Sequence, residues 1–264
     1  MNQFPFNTVD LDDKISIAYW DEGKSEETLL FIHGLTSNIQ AWSKNLPILK
    51  KHFRCVAIDL PGYGKSVPGI HSGKMDFYAE VISEFIQALK LSNLTIVGHS
   101  MGGQIAMATA LLYPKLIKIL VLVAPAGLES FTKKEINWIK KNYTEAAIAS
   151  LTEDQIRLNF TNDQDRNYKV IIRSLHGMLY QPVFERLNEI KCPTLIIFGN
   201  NDYLIPHPIL HKDKTPEEIA KLGVKKIPGA KLVLFDNCGH FVQFEKPDEF
   251  NKTVIEFLIK GIFE

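Results

Sequence analysis

The stretch Leu94–Gly103, LTIVGHSMGG, places a serine between glycines directly after a short apolar run. The run Leu94–Val97 predicts a buried strand, and the residues from Gln104 onward predict a helix. A serine on a tight turn between a strand and a helix takes up a strained backbone conformation, and glycines two positions away avoid the clashes that Cβ atoms would create. The pattern therefore predicts that Ser100 is an exposed nucleophile at the end of a strand.

Similar apolar runs, rich in Val, Ile and Leu and without polar alternation, recur along the chain. A strand that is covered on both faces shows such a run, so the runs predict a parallel sheet between helices. Amphipathic segments between the runs predict helices, and the alternation of the two indicates a wound α/β fold. The predicted strands are Thr28–Ile32, Cys55–Ile58, Leu94–Val97, Ile119–Val123, Thr194–Phe198 and Leu232–Phe235, and the predicted core helices are Phe77–Leu89, Gln104–Tyr113 and Pro247–Leu258.

Between residues 127 and 190 the alternation stops and the pattern becomes helical. Thr132 with Glu135, and Thr152 with Gln155, fit the capping box that begins a helix. Because an apolar strand pattern resumes at Thr194, we interpret residues 127–190 as a helical cap inserted into one core, which comprises residues 1–126 and 191–264.

Composition excludes several classes of protein. The chain of 264 residues carries 30 basic and 30 acidic side chains, which argues against broad nucleic-acid binding. The apolar runs are far shorter than the roughly 20 residues that cross a bilayer, so no integral membrane segment is predicted. No secretory signal stands at the amino terminus, and the three cysteines are too few and too scattered for a disulfide framework. We therefore expect a cytoplasmic protein; its oligomeric state is left open.

A serine nucleophile needs a base, and the base needs a carboxylate that orients it. His240 follows the last predicted strand, and Asp202 follows the strand Thr194–Phe198, so both would reach the edge of the sheet that carries Ser100. The chain order serine, aspartate, histidine is the one this architecture uses. The backbone N–H groups of Leu35 and Met101 are candidates for an oxyanion hole.

These residues resemble the α/β-hydrolase family over nearly the whole chain. The motifs that carry the resemblance are His33-Gly34, the turn Asp59–Ser66, the elbow around Ser100, Phe198-Gly199 with Asp202, and Gly239-His240 followed by Glu245-Lys246-Pro247. The resemblance implies a Ser-Asp-His hydrolase with a mostly parallel eight-stranded sheet, flanked by helices, and a helical cap after the sixth strand.

Within that family, Ser100 sets this chain apart from dehalogenases and epoxide hydrolases, which have an aspartate at the elbow. The carbon-carbon bond hydrolases of ring-cleavage products share the Ser-Met-Gly-Gly elbow, but they typically have Asn before the serine and Trp after the histidine, where this chain has His99 and Phe241. We expect a carboxylesterase or small lipase-like enzyme that acts on an ester of a small or medium apolar substrate. Thioesterase, lactonase and carbon-carbon hydrolase activities remain alternatives, as does a hydrolase-like sensor of a small ligand.

The candidate pocket residues beyond the triad come from the loops around the elbow and from the predicted cap. They are His33, His99, Trp138, Leu175, Met178 and Phe241. His207 and His211 have the spacing of zinc ligands on a helix, but Pro208 and the lack of a matched acid argue against a metal. We predict neither a metal nor another cofactor.

Overall fold

The computed structural model of the protein describes residues 5–11, 14–67, 71–144 and 168–260. Within these ranges, eight strands form one sheet in the order β1-β2-β4-β3-β5-β6-β7-β8. The pairs from β4 through β3 to β8 are parallel, whereas β1 and β2 are antiparallel to their neighbours. The strands are β1 Asn7–Asp10, β2 Ser16–Glu22, β3 Thr28–Ile32, β4 Arg54–Ile58, β5 Leu94–His99, β6 Ile119–Val123, β7 Thr194–Gly199 and β8 Lys231–Phe235.

Helices cover both faces of the sheet, and successive residues of a strand point to opposite faces. Leu30 of β3 belongs to one buried apolar cluster and its neighbour Phe31 to the other. The predicted parallel sheet between helices is therefore confirmed. The helices are α1 Leu46–Leu49, α2 Met75–Ala88, α3 Met101–Leu112, α4 Lys133–Asn142, α5 Tyr168–Tyr180, α6 Pro216–Lys226, α7 Val242–Glu245 and α8 Pro247–Lys260, with 3-10 turns at Ile39–Trp42, Pro114–Leu116 and Phe184–Glu189.

All six apolar runs form strands, extended by one or two residues at some ends. Periodicity did not detect β1 and β2, because β1 is largely exposed and β2 mixes buried with half-exposed positions. An antiparallel edge with one face toward water gives a weaker apolar signal than a strand buried on both faces. Helix α3 begins at Met101 rather than at Gln104, since the two glycines of its first turn hide its start from a propensity argument.

The chain leaves the sheet at Val123 and re-enters it at Thr194, and the elements described between these points are helical. The predicted capping box at Thr132 is present: its hydroxyl accepts from the N–H of Glu135, whose carboxylate accepts from the N–H of Thr132 at 2.6 Å. The second predicted box, at Thr152 and Gln155, lies outside the described residues.

Helix α5 is fixed to the core by a close backbone contact and a buried polar group. A Cβ atom at Gly177 would lie 2.0 Å from the carbonyl oxygen of Gly73, so only glycine permits this approach. The Ser174 hydroxyl lies between the phenol groups of Tyr63, at 3.0 Å, and Tyr78, at 2.7 Å. This part of the insertion therefore packs as an extension of the core.

Within the part of the chain that the structure describes, no helix is both long and apolar enough to cross a bilayer. The three cysteines, all of them described, are free thiols. Burial raises the pKa of Cys238, which lies two residues before His240, to about 12. That thiol stays protonated at neutral pH and is a poor nucleophile.

Candidate active site

Ser100 occupies the tight turn that the sequence predicted. Its backbone has φ 53° and ψ −117°, a left-handed conformation that is unfavourable for any residue with a side chain. A Cβ atom at Gly98 would lie 2.4 Å from the carbonyl oxygen of Gly102, and one at Gly102 would lie 2.3 Å from that of Ile32. Glycine at these two positions is thus required by close backbone approach.

Hydrogen bonds hold the strained turn in place. The N–H of Ser100 donates to the carbonyl oxygen of Val123 at 3.0 Å, and its own carbonyl oxygen accepts from Gly103 and from Ala126. The strain is therefore balanced by the neighbouring strand β6 and by the first turn of α3.

Asp202 and His240 come together because the loops after β7 and β8 cross closely. A Cβ atom at Gly199 would lie 2.2 Å from the carbonyl oxygen of Cys238. Nδ1 of His240 donates to Oδ2 of Asp202 at 2.8 Å, with both side chains almost fully buried. The other carboxylate oxygen accepts from the N–H groups of Leu204 and Ile205. Because Nδ1 carries the proton, Nε2 of the neutral imidazole is left as the proton acceptor.

Ser100 and His240 both line a cavity of about 450 Å³. One wall comes from the carboxyl ends of the strands and their loops, and the other from described residues between Gly127 and Glu185. The wall on the core side includes Gly34, Leu35, His99, Tyr203 and Phe241, and the opposite wall includes Phe131, Ile139, Leu175, Met178, Leu179 and Phe184. Of the predicted pocket residues, His99, Leu175, Met178 and Phe241 lie in this wall.

Two predicted pocket residues lie outside the cavity wall. His33 is fully buried behind it: Nδ1 donates to the carbonyl oxygen of Gly34 at 2.8 Å, and Nε2 accepts from the N–H of Leu60 at 3.0 Å. Burial lowers the pKa of His33 to about 4, so it supports the loop as a neutral side chain. Trp138 packs edge-on against Tyr143 and His207 instead of lining the cavity.

The predicted oxyanion donors stand beside the nucleophile. Leu35 lines the cavity, and Met101 is buried at the start of α3. A Cβ atom at Gly34 would lie 3.0 Å from Cβ of Ser100, which brings this loop within contact of the elbow.

Two residues at the site, Glu245 and Gln104, had no predicted role there; Glu245 was named only as part of the motif that follows His240. The Glu245 carboxylate accepts from the N–H groups of Gly239, at 2.7 Å, and Phe241, at 3.0 Å, on either side of His240. Gln104 lines the cavity and donates to the carbonyl oxygen of Met178 at 3.0 Å, which connects α3 to α5. The position of Glu245, four residues after Phe241 and in the first turn of α7, could have indicated its role. Nothing in the local sequence indicated the contact of Gln104 with α5.

No group of three or more His, Cys, Asp or Glu side chains among the described residues is arranged to hold a metal ion. His211 donates to the Glu129 carboxylate through Nδ1 at 2.6 Å.

Comparison with known proteins establishes the family. A model of the alpha/beta hydrolase fold matches residues 27–181, more than half of the chain. The chain belongs to the α/β-hydrolase fold family and is a hydrolase.

Among curated proteins, it is 29% identical to the 2-hydroxy-6-oxononadienedioate/2-hydroxy-6-oxononatrienedioate hydrolase of Escherichia coli O81, covering 97% of this chain and 95% of that protein. Among solved structures, the bromoperoxidase of Bacillus anthracis superposes with a TM-score of 0.81 at 21% identity, covering 96% of this chain and 99% of that one. An esterase of Exiguobacterium antarcticum superposes with a TM-score of 0.78 at 22% identity, covering 97% and 99%. At such identities the solved structures show a shared fold.

Proposed function

We propose that this protein is a serine carboxylesterase that cleaves a small or medium apolar ester through an acyl-enzyme intermediate. The observation that carries the proposal is the buried Asp202–His240 pair, 2.8 Å apart, whose His240 lines the same cavity as Ser100. The Ser100 turn has the backbone strain and the glycine contacts expected of an exposed nucleophile.

In the proposed reaction, His240 Nε2 takes the proton of Ser100 while Oγ attacks the acyl carbonyl carbon. The Asp202 carboxylate stabilises the imidazolium that forms. Negative charge develops on the carbonyl oxygen, and in this proposal the N–H groups of Leu35 and Met101 stabilise it. Neither N–H group has a backbone acceptor among the described residues, which supports this role.

The tetrahedral intermediate collapses as His240 gives its proton to the leaving alcohol. Water then attacks the acyl-enzyme with His240 as base, and the acid and Ser100 are released.

The charges around the cavity favour a neutral substrate. Two carboxylates, Glu129 and Glu185, line it, and none of its described lining residues is Lys or Arg. The name of the Escherichia coli relative denotes a substrate with two carboxylates. Such a dianion would have no cationic partner in the described wall here, and an unpaired charge is costly to remove from water. We therefore favour a neutral ester over the substrate of that relative.

A substrate panel tests the proposal. Purified protein is assayed with p-nitrophenyl esters of increasing acyl length, with an anionic ester such as mono-p-nitrophenyl glutarate, and with a ring-cleavage dienone. We expect turnover of the neutral esters and at least roughly tenfold lower kcat/KM for the anionic one. Turnover of the dienone alone would assign carbon-carbon hydrolysis instead, and tight binding without turnover of any of these would favour a sensor.

Covalent labelling tests the nucleophile separately. A fluorophosphonate should modify Ser100, and peptide mass spectrometry should find no other labelled serine. Ser130, which also lines the cavity but lies outside the elbow, provides the matched comparison. Ser130→Ala should still be labelled and Ser100→Ala should not; the reverse result would contradict the assignment.

A further inference from the structure

His99 connects the strand that carries the nucleophile to the loop that carries the base. It is the last residue of β5, directly before Ser100, and only 1% of it is exposed. Its Nε2 lies 3.0 Å from the backbone carbonyl oxygen of His240. A carbonyl oxygen only accepts hydrogen bonds, so the proton of the His99 ring is on Nε2 and the ring donates to the backbone of His240.

The other ring nitrogen of His99 makes no hydrogen bond among the described residues. Nδ1 is buried without a partner and lies 3.1 Å from the position that a Cβ atom would take at Gly34. Burial holds the pKa of His99 well below its usual range, and the neighbouring His240 lowers it further. His99 therefore stays neutral with one fixed tautomer.

The backbone of His240 is fixed from two sides. Glu245 accepts from the amides of the residues before and after it, and His99 donates to its carbonyl oxygen. The His99 ring also packs against the rings of His240 and Phe241, each with centroids 4.8 Å away. The Asp202 carboxylate fixes the remaining freedom, which is the rotation of the His240 side chain.

We propose that His99 is a positioning residue, which sets the separation of Ser100 from His240 through its hydrogen bond to the His240 carbonyl oxygen. The proposal rests on the proposed serine mechanism but not on the choice of ester as substrate. Proton transfer between Ser100 and His240 requires their atoms within hydrogen-bond reach, and a displacement of about 1 Å can lower a rate roughly 100-fold.

The test compares wild type with His99→Gln, His99→Met and His99→Leu. Glutamine places an amide N–H about as far from the backbone as Nε2 of histidine, whereas methionine and leucine fill similar space without a donor. We measure kcat and KM for p-nitrophenyl acetate, the rate constant for phosphonylation of Ser100 by a fluorophosphonate, and the proton NMR signal of the His240 Nδ1–H.

We expect His99→Met and His99→Leu to lower kcat and the phosphonylation rate by roughly 10- to 100-fold with little change in KM. The Nδ1–H signal should shift or broaden in both. His99→Gln should recover most of the lost rate and restore the signal.

The proposal is overturned if His99→Gln is as slow as His99→Met, if only KM changes, or if all variants match wild type. It is also overturned if His99→Met and His99→Leu both fail to fold, since His99 is then a structural residue. If wild type hydrolyses no ester, the phosphonylation rate is compared across wild type and the three variants. Where that rate still depends on a hydrogen-bond donor at position 99, the ester assignment fails and the positioning role stands. If esters are hydrolysed without that dependence, the positioning role alone fails.

Discussion

The elbow around Ser100 and the described residues of the predicted insertion 127–190 lie on opposite sides of one cavity, but different interactions hold them in place. The elbow is held by close backbone contacts, one within the turn itself, Gly98 against Gly102, and one between α3 and β3, Gly102 against Ile32. The insertion is held by contacts distant in sequence, such as Ser174 with Tyr63 and Gln104 with Met178. The elbow therefore tolerates few changes, while the insertion can change its cavity-facing side chains and keep its attachment.

The largest expected effect is a loss of activity from a substitution in the core, beside the elbow. Asp202→Asn should lower kcat by roughly 10⁴-fold, since the amide cannot hold the His240 tautomer that leaves Nε2 free. Steady-state kinetics on a p-nitrophenyl ester measures the loss, with circular dichroism to check the fold. Asp236→Asn is the matched control: among the described residues, this exposed carboxylate accepts a hydrogen bond only from the Asn200 side chain, so activity should be retained. Similar losses in both variants would contradict the assignment.

Two glycine substitutions compare the attachment of the two regions directly. Gly102→Ala would bring a Cβ atom within 2.3 Å of the Ile32 carbonyl oxygen, and Gly177→Ala within 2.0 Å of that of Gly73. We expect Gly102→Ala to lower the free energy of unfolding by about 3 kcal/mol, at the upper end of overpacking costs, and to abolish activity. Gly177→Ala should expose the amides of α5 to hydrogen exchange while those of β5 and α3 stay protected.

A third substitution controls for backbone strain alone. Gly229 has φ +72° but nothing within 4 Å of an added Cβ atom, so Gly229→Ala should cost only about 1 kcal/mol. If Gly177→Ala exposes β5 and α3 as readily as α5, the two regions unfold together and the distinction between them is wrong.

Acid should destabilise the core more than the insertion. The pKa of buried His33 is about 4, against 6.5 for an unperturbed histidine, so below pH 6.5 the unfolded chain binds a proton that the native state does not. His33 thus lowers the free energy of unfolding progressively as pH falls from 6.5 to 4, by about 3 kcal/mol in total.

Urea denaturation at pH 7 and pH 4.5 measures this effect in wild type, His33→Gln and His176→Gln. His176 lies on α5, and its pKa is also lowered by burial, but it is only partly buried. We expect His33→Gln to remove a larger share of the acid sensitivity than His176→Gln. Equal pH dependence in His33→Gln and wild type would disprove the contribution of His33.

The smallest expected effect concerns selectivity in the insertion. Leu175→Ala and Met178→Ala remove side-chain volume from the wall and so enlarge the cavity. Because a longer acyl chain then fits better, the kcat/KM ratio of p-nitrophenyl octanoate to p-nitrophenyl acetate should rise about 3- to 10-fold. Trp138→Ala, on the same insertion but outside the wall, should leave that ratio unchanged. A changed ratio in Trp138→Ala with an unchanged ratio in the other two variants would mean that the substrate contacts the Trp138 face of α4 instead of Leu175 and Met178 on α5.

The parallel strands and the Ser100 elbow could be predicted because their determinants are local. A strand buried on both faces needs an unbroken apolar run, and a strained turn with close backbone approach needs glycine, so both leave a pattern in the sequence. Asp202 and His240 were identifiable because each follows a strand whose end lies at the same edge, and the structure brings their side chains to 2.8 Å. Their catalytic roles and those of Leu35 and Met101 stay predictions until the variants are measured.

The sequence by itself determined the α/β fold and the serine, histidine and aspartate that follow strand ends, whereas the inserted cap at residues 127–190 stays a prediction. Only the tertiary structure decided that Trp138 lies outside the cavity wall and that His33 supports the Gly34 loop from behind that wall. It also decided that His99 and Glu245 hydrogen-bond to the backbone around His240. The physical reason is distance along the chain. His99 and His240 are 141 positions apart, and a hydrogen bond between a ring and a distant backbone carbonyl imposes no periodicity, spacing or residue preference on the sequence between them.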